Sequence, residues 1–174
     1  MTKIIYNLFF TFSFLLIFSC GSKKSVFVKY SNSEISYSGR IDTSLVDAAE
    51  LYWSGSSIKL NFEGQSVYTL MENEREGNYY NIIIDNDSVV IFSPDTIKTY
   101  QRIASNLSKG KHTIELFRRN EWSRGKTKFY GFKIKGHPKI LPKSPSLKRK
   151  IEFYGNSISA GYGDGISLTR IEGI

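Results

Sequence analysis

The residues with the clearest chemical potential are Gly155-Asn156-Ser157-Ile158-Ser159-Ala160-Gly161-Tyr162-Gly163. A serine on a tight turn between a strand and a helix projects its hydroxyl, and the unpaired N–H groups of the helix start can hold a developing oxyanion. Lys150-Ile151-Glu152-Phe153-Tyr154 reads as a short strand feeding that turn, and glycines at 155, 161 and 163 let the backbone approach a substrate closely. Those residue types suit acyl transfer with Ser157 as nucleophile, and they suit a plain Gly/Ser surface turn equally well. A phosphate loop in Gly161-Tyr162-Gly163-Asp164-Gly165 is disfavoured, because the Gly-Lys-Ser/Thr ending is missing. A nucleophilic serine also needs a base, and the only histidines, His112 and His137, both lie upstream. His112 sits where a strand begins and reads as structural; His137, beside Pro138, would have to fold back to serve Ser157. No His/Cys/Asp/Glu cluster has metal-ligand spacing, so neither metal nor cofactor is expected.

Positioning such a serine falls to the elements before it. Ile58-Lys59-Leu60-Asn61-Phe62 alternates strictly, and further strand-like runs are Ser66 to Met71, Tyr79 to Ile84, Ser88 to Phe92, Tyr100 to Ile103, His112 to Arg118 and Lys128 to Lys135. Gly64, Gly77, Asp85-Asn86-Asp87, Lys109-Gly110 and Gly125 punctuate them, and no long segment keeps a helical period. Short strands at this spacing predict an all-β antiparallel jelly-roll sandwich over residues 34–140. Alternation points Ile58, Leu60, Phe62, Ile114, Leu116, Phe132 and Ile134 into its core. Trp53, Trp122, Tyr79 and Tyr80 are aromatics among alternating strands, which more often pack the core than stack on a ligand, and core packing is the role expected of them.

Gly136 to Ser146 holds three of the four prolines, and residues 141–149 read as a Pro/Lys linker into a second segment, 150–174. At the other end, Lys3 precedes an uncharged stretch, Ile4 to Ser19, rich in Leu and Phe, which has the pattern of an export signal over residues 1–19. The single Cys follows at once in Ser19-Cys20-Gly21-Ser22, resembling a bacterial lipobox in which Cys20 becomes the lipid-modified first residue. Residues 20–33 then read as a Ser/Lys-rich tether from that lipid.

The chain has 174 residues, 40% hydrophobic and 14% aromatic, with one Cys, which excludes wholesale disorder and a disulfide scaffold. The formal charge of +8 falls to +7 without Lys3. No base-reading motif accompanies it, so the expected setting is an anionic bacterial cell envelope, facing the periplasm or exterior, and no nucleic acid is expected as a partner.

Lys150 to Gly163 resembles the first conserved block of the SGNH/GDSL hydrolases, whose core is Gly-Asp-Ser-Ile/Leu. More broadly, Gly39 to Gly163 is similar to carbohydrate esterase family 2, acetylxylan-esterase-like proteins with a jelly roll ahead of the hydrolase domain. The matching landmarks are Gly39-Arg40, Tyr52 to Gly64, Tyr79 to Asp85, Leu107 to Arg119 and Phe129 to Ile134. The resemblance implies that Ser157 is the nucleophile and its backbone N–H an oxyanion donor. It places Gly155 and Asn156 on the nucleophile turn, Asn156 standing where the superfamily usually has Asp. It implies acetylated plant polysaccharide, of xylan or mannan type, as substrate, and a membrane reached through Cys20. In the superfamily the catalytic His lies near the end of the hydrolase domain, and only 17 residues (174 minus 157) follow Ser157. The expectation is therefore a two-domain esterase present only as far as the start of its second domain, and inactive alone. The alternative is a noncatalytic β-sandwich lipoprotein that binds glycans.

Overall fold

Alternation along residues 58–62 sends every second side chain to the same face of a strand. In the computed structural model, which describes residues 24–145 and 154–157, Ile58, Leu60 and Phe62 are at most 1% exposed. Ile114, Leu116, Phe132 and Ile134 are equally buried, so the whole expected inward set forms the core.

Twelve strands are present among the described residues: β1 (Ser25–Lys29), β2 (Ser36–Ser38), β3 (Ile41–Asp42), β4 (Ala49–Leu51), β5 (Ser57–Glu63), β6 (Ser66–Asn73), β7 (Tyr80–Ile84), β8 (Ser88–Phe92), β9 (Thr99–Ala104), β10 (Lys111–Arg118), β11 (Thr127–Lys135) and β12 (Lys139–Ile140). They make two antiparallel six-stranded sheets. The first runs β3-β4-β11-β6-β9 with β1 also paired to β11; the second runs β12-β5-β10-β7-β8 with β2 also paired to β5. No α-helix occurs among the described residues, and one 3-10 turn covers Trp122–Arg124. All seven strand-like runs read from the sequence coincide with strands, Tyr79 alone falling one residue ahead of β7, as an all-β jelly-roll sandwich requires.

β11 departs from simple alternation at Tyr130. Phe129 pairs with Met71 and Gly131 with Leu70, so Tyr130 is an extra residue in the ladder. The bulge turns both Phe129 and Phe132 inward, their rings 4.9 Å apart and edge to face. Tyr130 itself reaches outward, and its hydroxyl donates to Glu72 Oε1 at 2.8 Å.

Two segments differ from expectation. Residues 25–29, assigned above to a tether, form β1, paired to β11 from Ser25↔Lys135 to Lys29↔Gly131. Only Val28 and the following Tyr30 turn inward, at 1% and 6% exposure, too few apolar positions to show a period in sequence. The Pro-rich stretch is not free either: Leu141 N donates to Asn61 O, Asn61 Nδ2 to Pro142 O, and Lys143 N to Glu34 Oε2. Pro138 and Pro142 have no N–H to offer a ladder, which suits this position at the edge of β5. The export signal, Cys20, and residues 150–153 and 158–174 lie outside the described residues.

Candidate functional site

Gly155, Asn156 and Ser157 are exposed and Ser157 stands in a turn, with Tyr154 89% exposed. The helix expected after Ser157, and residues 150–153 of the strand expected before it, fall outside the described residues.

The nearer of the two histidines in sequence order to the jelly-roll core, His112, is committed elsewhere. It is 7% exposed, with Nδ1 2.8 Å from Asp85 Oδ2 and Nε2 2.9 Å from Ser108 O. Both ring nitrogens face acceptors, so the doubly protonated imidazolium fits this setting. Burial pulls its pKa down, but the Ser108 carbonyl and the Asp85 carboxylate outweigh burial and raise it above the ordinary value. Asp85 responds in kind: burial would raise its pKa, yet His112 and the Thr113 N–H hold it below the usual range. His112 therefore fixes the loop between β7 and β8 to the start of β10, as the structural role expected of it demands. His137 is exposed and adopts φ 58 in the turn after β11.

The four aromatics divide. Tyr80 is fully buried, in agreement with core packing, whereas Tyr79, Trp53 and Trp122 are 44%, 40% and 55% exposed. The expectation of core packing fails for these three because none lies within a strand. Trp53 follows β4 by two residues, Tyr79 precedes β7, and Trp122 opens the 3-10 turn. Tyr52 joins the tryptophans into one surface, its ring 5.7 Å from Trp53 and 6.5 Å from Trp122. Arg40 lies over Trp53 at 5.6 Å and Lys126 over Tyr52 at 5.9 Å. Beside this surface runs a groove of 360 Å³ lined by Glu50, Glu72, Asn73, Glu74, Thr96, Lys126 and Lys128. Lys126 Nζ sits 3.1 Å from Glu50 Oε2 and Lys128 Nζ 3.4 Å from Glu72 Oε1. Flat rings flanked by alternating donors and acceptors match a sugar, which offers C–H faces for stacking and hydroxyls at its rim.

A residue the sequence reading did not single out holds this end together. Arg118, fully buried, donates from Nη1 to Leu51 O (2.9 Å) and Thr127 Oγ1 (3.2 Å), from Nη2 to Asn78 Oδ1 (2.8 Å) and Gly125 O (2.6 Å), and from Nε to Asn120 O (3.2 Å). Leu51 precedes Tyr52-Trp53, Asn78 precedes Tyr79, and Asn120 and Gly125 bracket Trp122. One guanidinium thus ties down all three aromatic loops. Its acceptors among the described residues are neutral; even Tyr80, 3.4 Å away, keeps its phenol protonated because burial raises its pKa more than Arg118 lowers it.

Residues 37–145 match the family described as Carbohydrate esterase 2 N-terminal. Among known proteins the chain is similar to the cellulase/esterase CelE of Acetivibrio thermocellus, 35% identical over 133 residues, covering 76% of this chain and 16% of that protein. It is similar also to an acetylxylan esterase / glucomannan deacetylase of Cellvibrio japonicus, 29% identical over 112 residues, 64% of this chain and 30% of that one. Among solved structures, a family two carbohydrate esterase from Clostridium thermocellum in complex with cellohexaose superposes with TM-score 0.66 at 35% identity, covering 71% of this chain and 38% of the other. A family two carbohydrate esterase from Cellvibrio japonicus superposes with TM-score 0.73 over 80% of this chain and 41% of the other; at 20% identity that likeness speaks for the fold alone. The chain therefore spans less than half the length of each of these relatives.

Proposed function

Because the chain belongs to the carbohydrate esterase 2 N-terminal family, we propose that it serves the removal of O-acetyl groups from plant polysaccharides of xylan or mannan type, as an exported protein held to the bacterial envelope through Cys20. The observation that supports this reading is the exposed Ser157, preceded by Gly155 and Asn156 and lying 12 residues past the end of the family match at residue 145. In the proposed reaction Ser157 Oγ attacks the acetyl carbonyl, and its backbone N–H is one donor to the resulting oxyanion. Collapse of the tetrahedral intermediate expels the sugar oxygen, which takes up a proton, and leaves an acetyl-serine; water then releases acetate and restores the hydroxyl. His112 is unsuited to be the base, since Asp85 and Ser108 occupy both its ring nitrogens. Assayed alone, the 174-residue chain is accordingly expected to release acetate from acetylated xylan and glucomannan at the rate of its Ser157→Ala variant. Turnover that vanishes in that variant would show a base that this account misses.

The exposed Tyr52/Trp53/Trp122 surface supports a second reading, a glycan-binding domain that needs no catalysis. It predicts retardation of the chain in gels containing xylan, glucomannan or soluble cellulose derivatives. Retardation should be lost in Trp53→Ala with Trp122→Ala and kept in Ser157→Ala. Migration unaffected by any of these polymers would remove it.

A further inference from the structure

We propose that the outer face of the first sheet around β1 docks on an anionic lipid surface. The registers place Phe27, Lys133, Tyr68 and Arg102 in one row across β1, β11, β6 and β9. The next row is Lys29, Gly131, Leu70 and Tyr100, and Ser25, Lys135 and Ser66 flank the first on its other side. Four cations and three aromatics share this face, and no carboxylate stands in any of the rows. Among the described residues none of the four cations forms an ion pair, in contrast to Lys126 and Lys128 farther along the same sheet. Two of them lie instead against rings of this face: Lys133 Nζ is 5.0 Å from the Tyr100 ring and Lys135 Nζ 4.5 Å from that of Tyr68.

The aromatics are presented outward. Phe27 and Tyr100 are 43% and 46% exposed and meet edge to face at 6.1 Å, although they start from strands on opposite sides of β11 and β6. Gly131 lets them do so: a Cβ there would lie 2.3 Å from Val28 O and 2.7 Å from Phe27 Cζ, and its φ of +153 favours glycine. Aromatic rings with a polar edge and unpaired cations together match the headgroup region of an anionic membrane. An acidic polysaccharide would satisfy the cations but leave the Phe27 ring and the Leu70 side chain without an apolar partner. Geometry adds a second argument, which rests on the reading of Cys20 as acylated. Four residues lie between Cys20 and Ser25, a reach of at most ~18 Å over the connecting Cα steps, so β1 would lie close to the membrane from the outset.

The test uses the unacylated chain beginning at Gly21, so that it does not depend on Cys20; every core residue lies between Val28 and Ile134, and this chain keeps them all. It is sedimented with vesicles of phosphatidylcholine alone or mixed with phosphatidylglycerol. Binding is expected only to the mixed vesicles and to fall at high salt. Each basic residue near such a surface contributes roughly fivefold, so Arg102→Gln/Lys133→Gln/Lys135→Gln should bind about a hundredfold more weakly. Lys109→Gln/Lys111→Gln/Lys139→Gln, of equal net charge, should bind as the parent does, and circular dichroism melts confirm that each variant folds. Equal loss in both triple variants, equal binding to neutral vesicles, or retardation by polygalacturonate without vesicle binding would each overturn the assignment. Failure of Cys20 to be acylated would leave the vesicle result unchanged.

Discussion

Replacing Arg118 should both destabilise the domain and loosen the aromatic surface. In Arg118→Met the side chain keeps its bulk, while Leu51 O, Gly125 O and Asn78 Oδ1 lose a buried donor. Asn78 has no alternative anchor, because its Nδ2 is already buried without a partner. Each buried acceptor left unpaired costs ~1–3 kcal/mol. Removing the guanidinium also returns its desolvation penalty, which pulls the sum toward the low end, to about 3–5 kcal/mol. For a domain of this size that is roughly a 12–20 °C drop in Tm. Arg118→Lys should recover little, since an ammonium cannot span acceptors that a planar fork reaches on two sides. The chain's only two tryptophans are Trp53 and Trp122, so intrinsic fluorescence reads this site alone. Both variants should shift that emission to the red at temperatures where far-ultraviolet dichroism still shows the folded sandwich. A Tm within ~2 °C of wild type with unchanged emission would refute the idea that Arg118 organises these loops.

Four further outcomes are expected. The His112 pKa is raised in the fold, so its stabilisation is complete below the unfolded value near 6.5 and is lost as pH rises through the higher folded value; Tm should fall across that range, and the fall should be absent in His112→Gln. Asp85 behaves in the opposite sense, its contribution fading as pH drops through its lowered pKa, so Asp85→Asn should flatten the acid limb of the same profile. Leu116→Ala, at a fully buried position between β5 and β7, should lower stability by ~2–5 kcal/mol in denaturant titration. In cells of the source organism's type, wild type is expected in the detergent phase on phase partitioning and Cys20→Ser in the aqueous phase; recovery of both in the aqueous phase would reject acylation.

The fold was legible wherever a strand buries one face only. β5 and β10 show that alternation plainly, and their inward residues follow from it. β1 escaped notice because its partner β11 lies about a hundred residues away and only Val28 and Tyr30 point inward. The Tyr130 bulge was equally invisible, since Phe129-Tyr130-Gly131-Phe132 has no single period. Ser157 could be read from its neighbours, but the aromatic surface could not, as Tyr52, Trp53 and Trp122 come together only through loops. The one sequence signal for it was Arg118, a charged residue continuing the alternation that buries Ile114 and Leu116. A cation at an inward position requires polar groups converging on it from elsewhere.

The place of β11 in the chain sets an order of events as the chain folds during synthesis. This strand joins β4, β1 and β6 into one sheet, yet it follows all of them in sequence. A chain emerging amino end first can pair β5 with β2 at once and with β10 as that strand appears, and β4 with β3, but β1 has no partner until Thr127 to Lys135 emerge. Throughout that interval β1 is open to wrong pairings with neighbouring chains. Closure of the first sheet is thus a late event governed by contacts distant in sequence, and slow folding follows from the strand order itself.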